Sequence, residues 1–104
     1  MDSSETRPSI DPLAYPALAS KARVQIDRVT GDPVLLYPEG VLMLNPTGSA
    51  IVALCDGKQT VQGVIASLAT RYGAPPDAIA PDVLEYLERL QTRCLIDLNR
   101  EPGE

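Results

Sequence analysis

Histidine is absent from all 104 residues. That absence excludes Ser-His-Asp and Cys-His nucleophilic catalysis, the 2-His-1-carboxylate iron site and every His-containing zinc site. The two cysteines, Cys55 and Cys94, stand far apart and form no Cys-x-x-Cys unit. Each lies in an apolar helical context, which predicts a small hydrophobic filler ahead of a disulfide or a reactive thiol. Two carboxylates can do acid–base work without histidine, and Asp56 and Asp82 are the residues to weigh. Neither has a partner at a spacing that forces proximity, and Asp56 beside Gly57 reads as a turn former. Catalytic residues, metal ligands and cofactors are therefore all expected to be none, and the chain is not expected to be an enzyme. Phenylalanine and tryptophan are also missing, so the core must be built from Leu, Val, Ile, Ala and Tyr. No lysine- or arginine-rich run exists and the net charge is −5, which argues against the basic footprint that nucleic-acid binding needs. No apolar run approaches the ~20 residues of a membrane span. Met1-Asp2-Ser3-Ser4-Glu5 lacks the basic and apolar regions of a secretory signal, so a cytoplasmic location is the expectation.

What is present suits one compact domain with a modest core, since 44% of the residues are hydrophobic. Its organising stretch is Val34–Asn45. Two short apolar runs, Val34–Tyr37 and Val41–Leu44, flank Pro38-Glu39-Gly40, and that gap predicts an antiparallel hairpin. Both runs are apolar at consecutive positions. A strand with one wet face alternates, so Val41 and Met43 on one side, with Leu42 and Leu44 on the other, require cover on both faces. The cover comes either from the rest of this chain or from a partner segment added to an open edge.

Residues 1–15 are polar, carry Pro8 and Pro12 and show no period, which predicts a flexible N-terminal arm ahead of a domain over 16–98. Val24 and Ile26 alternate with Arg23, Gln25 and Asp27, the period of a half-buried strand. Strands over about Ala22–Val29, Val34–Tyr37 and Val41–Leu44 in meander order leave the third at an edge. Asn45-Pro46 then switches the period, with Asn as N-cap and Pro at the first helical position. That helix should bury Ala50, Ile51, Leu54 and Cys55 and end at Asp56-Gly57 with a left-handed glycine. Thr60 should cap a second helix whose face is Val61, Val64, Ile65, Leu68, Ala69 and Tyr72, stopped by Gly73. Pro75-Pro76-Asp77 and Pro81 mark the start of a third, regular from about Pro81 to Arg93, with Val83, Tyr86, Leu87, Leu90 and Cys94 on its core stripe. Leu84 falls ~100° from Val83, on the shoulder of Leu87 and Gln91. Leu95-Ile96-Asp97-Leu98 closes the domain, and residues 99–104 should fray.

The expected fold is α+β, a three-stranded antiparallel β meander followed by a three-helix bundle, winged-helix-like. A winged helix can also bind DNA, but the polar side of the second helix offers only Gln62, Ser67, Thr70 and Arg71 as readers of bases. An edge strand with an apolar surround points instead to peptide binding by strand addition. The acidic balance, with Asp82, Glu85 and Glu88 on the third helix, favours a partner carrying basic residues.

Several stretches resemble a known family, PQQ biosynthesis protein D, a type of RiPP recognition element. They are Arg23-Val24 with Asp27-Arg28, Val34-Leu35-Leu36-Tyr37-Pro38-Glu39, Leu54-Cys55-Asp56-Gly57, Ala80-Pro81-Asp82-Val83-Leu84 and Arg93-Cys94-Leu95-Ile96. This chain departs from the family pattern at Thr30 and Asp32-Pro33, where arginines are usual, and at Cys94, where glycine is usual. The resemblance implies a non-enzymatic peptide chaperone. Such a protein binds the leader of the precursor peptide of pyrroloquinoline quinone and presents it to a radical SAM enzyme. It implies that the leader adds beside the third strand and packs on the third helix, giving Val41, Leu42, Met43, Leu44, Val83, Leu84, Leu87 and Gln91 as candidate peptide-binding residues. No nucleic acid or membrane partner is implied. The unfilled edge strand also invites homodimer formation by self-pairing or swapping.

Overall fold

The computed structural model describes residues 10–102. Its elements in order are β1 (Tyr15–Leu18), β2 (Arg23–Ile26), β3 (Pro33–Tyr37), β4 (Gly40–Met43), α1 (Pro46–Ala53), α2 (Val61–Tyr72), α3 (Pro76–Thr92) and β5 (Ile96–Asn99). The expected meander is present as an antiparallel sheet in the order β2-β3-β4. Pro38 and Glu39 make the turn of its hairpin, and the register runs from Val34 opposite Met43 to Tyr37 opposite Gly40. A second, two-stranded sheet pairs β1 with β5.

That second sheet corrects the reading of the N-terminal region. Residues 1–9 lie outside the described residues, but Ile10 and Ala14 are buried and Tyr15 opens a strand. The physical reason is a set of backbone bonds that composition does not reveal. The Val61 and Gln62 N–H groups, unpaired at the start of α2, donate to Ala14 O at 2.9 Å and Pro12 O at 3.0 Å. Residues 12–14 thus satisfy helix-end donors that would otherwise need water or side chains. At the other end, residues 96–99 are a strand, so Asn99 belongs to the sheet.

The helices obey their caps. Asn45 Oδ1 accepts from Gly48 N–H at 2.6 Å and Thr60 Oγ1 accepts from Gly63 N–H at 3.0 Å. Gly73 closes α2 at φ 64°. Three expectations change in detail. The first helix ends at Ala53 with Leu54 as C-cap, and Gly57, at φ 77°, serves the following turn, where Asp56 Oδ1 accepts from Lys58 N–H at 2.9 Å. The third begins at Pro76 and runs through Pro81. Tyr72, placed on the core face of α2, is 47% exposed because the core beneath that helix ends at Ala69.

One core joins all the layers. Leu35 and Leu44 from the larger sheet meet Ile51, Val61, Val64, Leu68, Val83, Leu87 and Leu90 from the helices, and Leu95 and Ile96 from the C-terminal end. Cys55 fills this core, whereas Cys94 is exposed at φ 60°, beyond α3.

Candidate functional site

The outer edge of β4 pairs with nothing among the described residues. Its chemistry follows from one bond: Leu44 N–H donates to Pro33 O at 3.2 Å. Amides of an antiparallel strand alternate in direction, so Leu42 and Gly40 also face β3, while the N–H and C=O groups of Val41 and Met43 face away. The same alternation governs the side chains. Leu44 is buried and Leu42 half-buried on the core side, whereas Val41 and Met43 are 55% and 56% exposed on the opposite face. In register beside them on that outer face lie Leu36 and Val34. The expectation that both faces are apolar therefore holds; on the outer face Val34 is buried and Leu36 half-buried, and the surface left open is that of Val41 and Met43 at the edge itself.

The α3 side is built differently from the helical-wheel reading. Val83 and Leu87 have no exposed surface; they are the foundation of the helix against the core and not a wall. Leu84 is half-buried against that core, and Gln91 is half-buried. Seven residues apart, Leu84 and Gln91 sit within about 20° of each other on the helix. Asp82, Glu85, Tyr86 and Arg89 lie roughly 160° away, on the other side of the core stripe. It is this second set that meets the chain leaving β4. Together with Asn45, Thr47 and Ile51 it lines a cavity of roughly 260 Å³.

Polar groups dominate this cavity. Arg89 Nη2 stands 3.6 Å from Glu85 Oε2, an exposed pair one helical turn apart. The Tyr86 hydroxyl is buried with no hydrogen-bond partner. It lies against Gly48, where an added Cβ would stand 2.5 Å from its oxygen, so any larger residue there would force the Tyr86 ring to move. Burial raises the Tyr86 pKa, Arg89 opposes that shift and Cys55 adds to it. Burial, with a smaller contribution from Asp56, pushes the Cys55 thiol up to about 12, which keeps it protonated and unreactive. Among the described residues no group of three or more His, Cys, Asp or Glu could hold a metal ion. No helix among them is long and apolar enough to cross a membrane.

Residues 33–96, from the first residue of β3 to the first of β5, match the model of the family described as coenzyme PQQ synthesis protein D, PqqD. The chain belongs to the PqqD family. The matched region contains β4, α1 and α3 whole, so the open edge and the cavity both lie inside it. Among curated relatives, a PqqA binding protein of Azotobacter vinelandii is 37% identical over 84 residues, covering 81% of this chain and 90% of that protein. A PqqA binding protein of Kluyvera intermedia is 41% identical over 75 residues, 70% of this chain and 78% of that one. The solution NMR structure of the PqqD truncation of Methylobacterium extorquens PqqCD, a functional and stand-alone RiPP recognition element, superposes with a TM-score of 0.74. It is 29% identical, and the alignment covers 86% of this chain and 96% of that one. The crystal structure of PqqD from Xanthomonas campestris gives 0.55 at 32% identity, covering 79% and 91%.

Proposed function

We propose that this chain is a peptide-binding protein of pyrroloquinoline quinone synthesis, a non-enzymatic chaperone that takes the leader of the precursor peptide PqqA as an added strand. One observation carries the reading: Val41 and Met43 direct their backbone donors and acceptors outward from an edge already surrounded by apolar side chains. Main-chain pairing would supply affinity and the flanking side chains selection. Relatives named for PqqA binding support the identity of the peptide. In this reading the arrangement is winged-helix-like, the protein works in the cytoplasm, and the bound leader is offered to a radical SAM enzyme. Residues 10–14 belong to the peptide-recognition domain.

The peptide backbone pairs with Val41 and Met43, and its core-facing side chains cover Leu42. On α3, the groove uses the side bearing Asp82, Glu85 and Tyr86 in place of Leu84 and Gln91. Asp82 and Glu85 favour a leader with basic residues near the end of the strand, an effect felt mainly in the on-rate.

Calorimetric titration with synthetic PqqA in the presence of a chelator tests this. Binding at low micromolar concentration or tighter is expected without any metal or cofactor. Glu85→Lys should weaken it several-fold while Leu84→Asp lowers the melting temperature first. No heat at tens of micromolar peptide overturns the reading.

A further inference from the structure

Among the described residues the larger sheet has a second unpaired edge. There β2 pairs with β3 alone, and Asp27 N–H donates to Asp32 O at 2.8 Å, which extends their ladder past Ile26. Alternation from that bond turns the amides of Arg23, Gln25 and Asp27 toward β3 and those of Val24 and Ile26 outward. The side chains of Val24 and Ile26 are on the core side, opposite Leu35 and Pro33, yet they are 45% and 57% exposed. The helices stop short of this strand and leave its apolar side bare. On the outer face Asp27 and Asp32 stand directly opposite each other, two like charges side by side. Among the described residues neither is in an ion pair, and nor is Arg23.

We propose that β2 pairs antiparallel with β2 of a second copy of this chain, about a twofold axis at Gln25, joining two three-stranded sheets into one. The register follows from parity and charge. Outward amides must meet outward amides, and an axis at Gln25 sets Val24 of each copy opposite Ile26 of the other. The same register sets Arg23 of each copy opposite Asp27 of the other, where the guanidinium also reaches the paired carboxylate of Asp32. An axis at Val24 would need Lys21 opposite Asp27, but Lys21 lies in the Ala19–Ala22 turn and is 3.9 Å from Glu39. An axis at Ile26 sets Val24 opposite Arg28 and Gln25 opposite Asp27, and joins no opposite charges. The same exercise on β4 sets Val41 opposite Met43 but Glu39 opposite Asn45, with no charge pair at all. Isologous interfaces require such self-complementarity, and β2 has it. The contact is one short strand wide, so the dimer is a weak one, with a Kd of roughly 10–1,000 µM. Both β4 edges stay free at the far ends of the joined sheet.

Sedimentation equilibrium of the full chain from about 10 µM to about 1 mM, spanning that range, tests the proposal. The mass should rise from one chain toward two. Arg23→Asp and Asp27→Arg should each hold the chain monomeric, and an equimolar mixture of the two should dimerise again, since every cross-axis pair then joins opposite charges. Asp27 Oδ1 also accepts from Val29 N–H at 2.8 Å, so Asp27→Arg disturbs a turn. Ile26→Lys avoids that turn and should weaken the dimer about tenfold or more at an unchanged melting temperature. Monomer throughout overturns the proposal, as does a dimer indifferent to Ile26→Lys. Failure of the mixture to dimerise, with Ile26→Lys disruptive, overturns the register. Peptide affinity at β4 is read separately with Ile26→Lys and should equal that of the parent, so the two readings stand or fall apart.

Discussion

Cys94 occupies φ 60° directly after the C-cap of α3, a conformation that costs a residue with a Cβ about 1–2 kcal/mol. Its N–H donates to Gln91 O at 2.9 Å and the next N–H, of Leu95, to Leu90 O at 2.8 Å, the bonding of a Schellman cap. The departure from the glycine usual in the family is therefore a cap variation that leaves strain behind. Cys94→Gly should raise the stability by about 0.5–1 kcal/mol after the greater unfolded-state entropy of glycine is subtracted, measured as a higher urea midpoint. The other cysteine gives a pH dependence. With its folded pKa at about 12 against an ordinary 9.0, Cys55 holds its proton in the folded state where the unfolded chain has lost it. Between those values the unfolded state binds fewer protons, so stability falls as pH rises from about 9 toward 12, by up to about 4 kcal/mol in all. Below pH 8 the group contributes no slope. Melts across that range should show the parent losing stability with rising pH more steeply than Cys55→Ala, which lacks the thiol; equal slopes would show that the group does not titrate this way.

At the scale of the element, β4 makes the sharpest prediction, because parity separates adjacent residues. Val41→Pro or Met43→Pro removes an outward N–H and should weaken the PqqA peptide about 2–10-fold, with little change in the melt. Leu42→Pro removes a ladder bond to β3 and should lower the melting temperature markedly. Equal effects on affinity and melt at all three positions would show that the ladder assignment is wrong. This strand was legible from sequence because its signal is local: a two-residue turn between apolar runs. The caps of α1 and α2 were legible for the same reason. β1 was not, since Tyr15-Pro16-Ala17-Leu18 has no alternation of its own and becomes a strand only beside residues 96–99, far along the chain. In β5 a signal existed, with Ile96 and Leu98 alternating with Asp97 and Asn99. The start of α3 was obscured by Pro81, which normally marks a boundary and here is carried inside the helix, one N–H short opposite Asp77 O. For the site, the helical wheel ordered the α3 side chains correctly around the axis. It does not say which neighbour each side meets, and only packing put Asp82, Glu85 and Tyr86 beside Asn45 and Thr47.

Across the whole molecule, charge is spread with a net −5 and the carboxylates Asp77, Asp82, Glu85 and Glu88 all lie on α3. Counterion release from phosphate needs a cationic surface, so duplex DNA should not shift with this protein at low salt. A shift that fades steeply with added salt would revive the winged-helix DNA reading. The tie between β1 and β5 has a consequence for where such a domain can be cut. Tyr15 stands directly opposite Asn99, a strand spacing of about 5 Å away. The front of the folded chain is thus fastened to its back like the two halves of a clasp. A truncation that took away β5 would leave β1 without its partner, and one that took away residues 10–18 would do the same to β5 and bare the first amides of α2 as well.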